Sequence, residues 1–312
     1  MTVTYPLDQC ALYKCQSKKR LNKVLGFSYK TALAYTGIQL YRVRKIQKDS
    51  NPLECRVVYA PHWKLKKAQA RIKKLLERVQ TPSWLYSGKK GVCHVDNARH
   101  HEGSPYVLTL DLASFFDACN RNAVYLFFRD KMKCAPDVAS ILTDLTTLSL
   151  QDGTCVIPTG SPSSQLVSYF AYEDMFEELH ELAAAGELII SLYVDDITIS
   201  SKSGFSNPKK LEERINQILR AYGHRLNRSK TRYSGKAAYS HVTGVALDGY
   251  GALHVENALR WKIITGMKTV LKGDPTPREE TMGRVFAARQ IEPGVFPAVE
   301  QAINRMADGF GE

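Results

Sequence analysis

Leu188-Ile189-Ile190-Ser191-Leu192-Tyr193-Val194-Asp195-Asp196-Ile197-Thr198-Ile199-Ser200 places two adjacent carboxylates between two β-prone runs. The pattern predicts a hairpin whose turn lifts the acids clear of a sheet. Acids held that way bind divalent cations, and paired cations catalyse phosphoryl transfer. An Asp-Asp pair in a surface hairpin is also ordinary turn chemistry. The choice between these readings depends on what the rest of the chain brings to the same place.

Upstream, Tyr106 to Leu110 reads as another strand, with Asp111 at its carboxyl end. If the two strands are neighbours, Asp111, Asp195 and Asp196 converge at one sheet end, and residues 112–194 leave room for two crossover helices. Helical stretches are predicted near 122–133 and 137–149. The loop Pro158-Thr159-Gly160-Ser161-Pro162-Ser163-Ser164 then opens a long helix over roughly 165–185, ended by Gly186. Asn207-Pro208 starts a helix that runs to Gly223, and strands are expected at 232–234 and 241–247. From about 250 the pattern is helical and basic through Lys272, and a last helical region follows Pro277.

On the N-terminal side, Cys55 to Tyr59 reads as a strand ended by Pro61. A helix over 62–79 carries Leu65, Ala68, Ile72, Leu75 and Val79 on one stripe. Its other face holds Lys64, Lys66, Lys67, Arg71, Lys73, Lys74 and Arg78 against the single acid Glu77, a face that is either solvated or in contact with phosphates. Strands and helices in this order predict an α+β fold with helices on one face of an antiparallel sheet.

The 312 residues include 43 Lys and Arg against 31 Asp and Glu, a net charge of +12 that points to a polyanionic partner such as nucleic acid. Seven cysteines form no C-x-x-C pair, so neither a zinc ribbon nor a disulfide framework is indicated, and the eight histidines form no metal cluster. No signal-peptide core and no run of about 18 apolar residues is present, so no membrane partner and a cytoplasmic location are expected.

Four segments, in order, resemble the polymerase motifs of reverse transcriptases. Leu108-Thr109-Leu110-Asp111-Leu112-Ala113-Ser114-Phe115-Phe116 resembles motif A, and the loop from Pro158 to Ser164 resembles motif B. Tyr193-Val194-Asp195-Asp196 resembles motif C, and Leu226-Asn227-Arg228-Ser229-Lys230-Thr231 resembles motif D. Asn97-Ala98-Arg99-His100-His101 and Val242-Thr243-Gly244 are similar to the Asn-Ala-x-x-His and Val-Thr-Gly signatures of the bacterial retron branch. The length, without RNase H, endonuclease or maturase extension, also suits that branch.

The resemblance implies a right-hand polymerase: N-terminal region and fingers over 1–105, palm over 106–248 with a fingers insertion at about 120–165, and helical thumb over 249–312. It implies catalytic Asp111, Asp195 and Asp196, which with Leu112 would hold two Mg²⁺ ions, for which Mn²⁺ can stand in. Asp196 would be the weaker ligand. Arg56, Ser114, Phe115, Phe116, Gly160 and Lys230 would meet the incoming nucleotide, with Phe116 as the steric gate against a 2′-hydroxyl, unless both phenylalanines are core. Gly160 would allow close backbone approach to nucleotide or template, and Lys230 would assist the leaving pyrophosphate unless it is a surface lysine.

Tyr193, Val194, Thr159 and Ser161 would lie at the primer and template, and Asn97, His101, Val242, Thr243 and Gly244 at RNA, His101 having a structural role as its alternative. Implied partners are a cognate noncoding RNA (msr-msd) and its msDNA product, dNTPs and an effector or toxin protein, in anti-phage defence. Thr159 stands where the family commonly has Gln, Gln165 follows the motif B loop where Pro is frequent, and Val194 replaces a commoner Ala. Two other readings remain open: a defence-associated or group II-like reverse transcriptase without branched priming, and a catalytically inactive RNA-binding scaffold.

Overall fold

The computed structural model describes residues 4–48, 51–274 and 276–299, with the backbone alone at 48, 51–54 and 56. Ser17 caps α1 (Lys18–Leu25) by accepting from the Arg20 N–H, and Gly26 ends it at φ +82°. After α2 (Tyr29–Leu33), β1 (Arg42–Lys48) and β2 (Asn51–Ala60) pair as an antiparallel hairpin. In α3 (Trp63–Leu76), Leu65, Ala68, Ile72 and Leu75 are buried, as the helical spacing predicts.

Next come α4 (His94–Arg99), β3 (Tyr106–Asp111), α5 (Phe115–Ala118) and α6 (Arg121–Leu126), which runs into a π-turn over Phe127–Lys131. α7 (Pro136–Thr146) leads to the short hairpin β4 (Leu148–Ser149) and β5 (Cys155–Val156). The single helix expected over 165–185 is two, α8 (Ser164–Ala171) and α9 (Glu173–Ala185). Tyr172 breaks them at φ −121° and ψ 21°. Its hydroxyl accepts from the Asn120 N–H and its ring packs on Phe115 and His224, so tertiary contacts override a periodicity that runs through both helices.

β6 (Ile189–Tyr193) and β7 (Asp196–Ser201) form the expected hairpin. α10 (Pro208–Ala221) is capped by Asn207, which accepts from the Lys210 N–H, and β8 (Arg232–Ser234) follows. The strand expected at 241–247 is a hairpin of β9 (Ser240–Val242) and β10 (Val245–Leu247). Thr243 at φ +46° and Gly244 at φ +82° make the turn, both left-handed, as a two-residue loop joining twisted strands requires. β11 (Leu253–His254), α11 (Asn257–Leu271) and α12 (Arg278–Ile291) complete the described chain.

The main sheet is antiparallel in the order β6-β7-β3-β8, and helices from both chain halves bury it in one large core. A second core joins Val95 and Ala98 of α4, Val107 of β3, the β9–β10 hairpin and Ile263, Val285 and Ile291 of the last two helices. Among the described residues no helix is long and apolar enough to cross a membrane.

His101 is fully buried between the Ser200 and Ser191 hydroxyls, each 2.7 Å from a ring nitrogen. Burial, with His100 beside it, pushes its pKa down to about 3. His224, boxed by the Phe115 and Tyr172 rings, is pushed down by burial to about 4. Both imidazoles are neutral when folded, so the unfolded chain takes up protons first as pH falls below 6.5. This stability is present above that pH and lost on acidification. We expect His224→Phe to gain on wild type by on the order of 3 kcal/mol between pH 6.5 and pH 4, read as the difference between two denaturant titrations. A constant difference across that window would refute the assignment.

Candidate active site

Asp111 of β3 lies directly opposite Asp196 of β7, and Asp196 opposes Tyr193 across the hairpin. The Leu112 N–H donates to the Asp195 carbonyl at 3.1 Å. The three acids therefore meet at one end of the sheet, as the strand reading anticipates. Val194 and Asp195 make the turn, and Val194 is forced to φ +62°. A β-branched residue there is a backbone outlier that costs about 1–3 kcal/mol and persists only where the surroundings over-determine it. Ser114, just past Asp111, is also left-handed at φ +48° and is exposed.

The motif D segment reaches back into this site. The Asn227 N–H donates to the Asp111 carbonyl at 2.7 Å, its side-chain amide donates to Asp111 Oδ2 at 3.2 Å, and Lys230 Nζ donates to Oδ1 at 2.6 Å. Lys230 is half exposed while the Asp111 side chain is mostly covered. Asn227 was not among the site residues expected from sequence; its spacing from Lys230 was the available signal.

Burial, then the charges of Asp195 and Asp111, push the Asp196 carboxyl up to about 7, with Lys230 pulling the other way. Burial alone would lower the Lys230 pKa, but its hydrogen bond to Asp111 and the three carboxylates raise it. Among the described residues no three His, Cys, Asp or Glu side chains close around one point as a cage, and Asp111 turns instead to Lys230 and Asn227. The donors at this end are all oxygens, and burial together with their mutual repulsion raises the Asp196 carboxyl to about 7. That chemistry fits a hard divalent cation. Leu112 has a buried side chain, so only its backbone carbonyl is available to such an ion.

Phe115 is 2% exposed and packs on Tyr172, Phe176 and His224, whereas Phe116 is 7% exposed and lies beside it. Both side chains belong to the same core, Phe116 the less deeply buried. Thr159 Oγ1 donates to the Val57 carbonyl at 2.9 Å, and a Cβ on Gly160 would fall 2.3 Å from the Tyr59 carbonyl oxygen. One close approach that demands glycine here is to the backbone of β2. Ser161 is partly exposed, with its hydroxyl 3.1 Å from that of Ser163. Arg56 lies on β2, but its side chain is outside the described residues.

Asn97, His101 and Val242, expected at RNA, have fully buried side chains, which for His101 agrees with its structural alternative. Asn97 Nδ2 donates to Thr243 Oγ1 at 3.3 Å, and Thr243 Oγ1 donates to the His94 carbonyl at 2.9 Å. These bonds hold the left-handed Thr243 and tie α4 to the β9–β10 turn, so the two signatures are halves of one internal joint. Thr243 is partly exposed and Gly244 is exposed at its rim.

A four-stranded antiparallel palm with paired acids on a hairpin, a third acid opposite and a lysine over them defines a nucleotidyl-transferring polymerase. Residues 46–247 match the reverse transcriptase (RNA-dependent DNA polymerase) family, and the chain belongs to it. Within that family it is similar to bacterial retron reverse transcriptases. It is 27% identical over 194 residues to the Retron Se72 reverse transcriptase of Salmonella heidelberg, across 61% of this chain and 50% of that protein. It is 27% identical over 276 residues to the Retron Ec83 reverse transcriptase of Escherichia coli, across 84% of this chain and 86% of that protein. The chain thus spans half of the Salmonella relative and most of the other. The structure of a foamy viral protease-reverse transcriptase in complex with double-stranded DNA aligns at TM-score 0.51 and 14% identity, over 89% of this chain and 40% of that one. That likeness supports the right-hand polymerase fold.

Proposed function

We propose that the protein is an RNA-directed DNA polymerase of the retron type, copying a cognate structured noncoding RNA (msr-msd) from a guanosine 2′-hydroxyl into branched, RNA-linked msDNA. The observation that carries it is the convergence of Asp111, Asp195 and Asp196 under Lys230 at the sheet end. Two Mg²⁺ ions held there by the three carboxylates and the Leu112 carbonyl would supply Lewis-acid charge to nucleotidyl transfer. Lys230 is within reach of charge that develops at this end, and its raised pKa keeps it cationic. In this reading residues 1–105 serve as fingers, 106–248 as palm and 249–312 as thumb. Deoxynucleotides are the substrate, and the product acts with an effector protein in anti-phage defence. The similarity to retron enzymes along 84% of the chain favours this over a reverse transcriptase without branched priming.

The test is expression with the RNA gene adjoining its locus, followed by isolation of small DNA from the cells. We expect DNA joined to RNA through a 2′–5′ branch, absent when Asp195 and Asp196 are both Ala. Unbranched DNA would sink the retron assignment and leave polymerase activity standing. No DNA-synthesising activity on any primed RNA would sink both.

A further inference from the structure

We infer that the head of α3 carries a stacking site for one unpaired nucleotide of a single-stranded nucleic acid, formed by Trp63 with Lys64, His62 and Tyr35. Trp63 is 65% exposed at the first position of the helix, its ring 5.7 Å from that of His62 and tilted 39° to it. The groups around it are fixed. His62 stacks on Tyr35 at 4.1 Å between centroids and 10° between planes, and its Nδ1 caps α3 by accepting from the Lys64 N–H. Lys64 Nζ donates to the Tyr35 hydroxyl at 3.1 Å, and lies 5.0 Å from the Tyr35 centroid and 5.5 Å from that of Trp63. An ammonium has three donors, so Lys64 keeps capacity for a phosphate oxygen.

The surrounding charge points to the same ligand. The first turn of α3 holds no acid. Of its basic face, Arg71 donates to the Val24 carbonyl, while Lys67 and Arg78 lie over the Phe27 and Tyr5 rings. Lys66, Lys73 and Lys74 have no side-chain partner among the described residues, and they extend the positive track away from Trp63. Exposed rings interleaved with lysines take bases by stacking and the backbone by charge, with little regard for sequence. The charge favours a polyanion over a protein partner, and duplex would hide its base faces. The occupant is therefore an unpaired stretch, which under the function proposed above is template RNA ahead of the primer.

The test is the affinity of the full-length protein for labelled single-stranded oligo(rU) and oligo(dT), and for a blunt duplex, by fluorescence anisotropy. Trp63 is solvent-facing, so Trp63→Ala should fold with unchanged thermal stability. It should bind both single strands about tenfold more weakly, with duplex binding and the salt slope unchanged, and Trp63→Phe should recover most of the loss. Tryptophan fluorescence in a Trp261→Phe background should be quenched by oligo(rU) and should lose that quench in Trp63→Ala. Equal single-strand affinity in wild type and Trp63→Ala, or an equal loss on duplex, overturns the site. If wild type binds single strands through Trp63 yet extends no primer, the polymerase reading fails and the stacking site stands.

Discussion

Asp195→Asn should reduce DNA synthesis by about a thousandfold or more, and Asp196→Asn by at least about a hundredfold while making the metal-free protein more stable. The first effect follows from losing charged oxygen at the point where phosphoryl charge must be neutralised, where several kcal/mol of barrier are at stake. The second follows from the raised Asp196 pKa. Its carboxyl titrates near 7 in the folded state against 3.8 ordinarily, chiefly through burial and then through Asp195 and Asp111. Between those values the folded state holds a proton that the unfolded chain has released. Stability is therefore lost as pH rises from 4 toward 7, by on the order of 3 kcal/mol. Asparagine keeps the shape and removes this cost. Thermal unfolding in EDTA should show Asp196→Asn several degrees above wild type at pH 7.5 and level with it near pH 4. A variant that is no more stable at pH 7.5 would mean that burial and the neighbouring acids place no cost on the ionised Asp196 carboxyl.

The parts of this site that were legible in the sequence are those written in local pattern. A strand ending in Asp111 and a hairpin turning at Val194-Asp195 each follow from a few adjacent residues, and the structure places both as read. Contacts between distant segments were legible only through the motif resemblance. Lys230 bonds an aspartate 119 residues away, and no periodicity encodes that pairing. What a single residue leaves open is its partner. Gly160 announces that something comes close, without saying that it is the Tyr59 carbonyl. Asn97, His101 and Val242 are polar or signature residues of the kind that attract a functional reading, yet each is spent on internal packing or hydrogen bonds. Tyr172 interrupts a helix whose apolar spacing is unbroken, because its own contacts lie on α5 and past α10.

Phe116→Val should relax discrimination against ribonucleotides by on the order of a hundredfold, whereas Phe115→Val should leave it unchanged and cost stability. Both rings follow Asp111 within motif A, and the resemblance places the gate at Phe116 unless both are core. Both are buried in the same core, Phe115 the more deeply. Phe115 is clasped by Tyr172, Phe176 and His224, so its face is fully used inside the core. Phe116 keeps 7% of its surface open. A sterically fixed ring edge is what excludes one added hydroxyl, since an apolar pocket that merely fails to hydrogen-bond it discriminates weakly. The choice of valine matters, because Phe116→Ala would empty a largely buried site at about 3–5 kcal/mol and confuse sugar selection with unfolding. The measurement is kcat/KM for single additions of dNTP and rNTP on one primed template, with thermal unfolding of each variant alongside. An unchanged ratio in a folded Phe116→Val protein would leave both rings to the core and sugar selection to another element. A ratio relaxed by Phe115→Val as well would mean that the two rings act as one wall, with the inner ring positioning the outer.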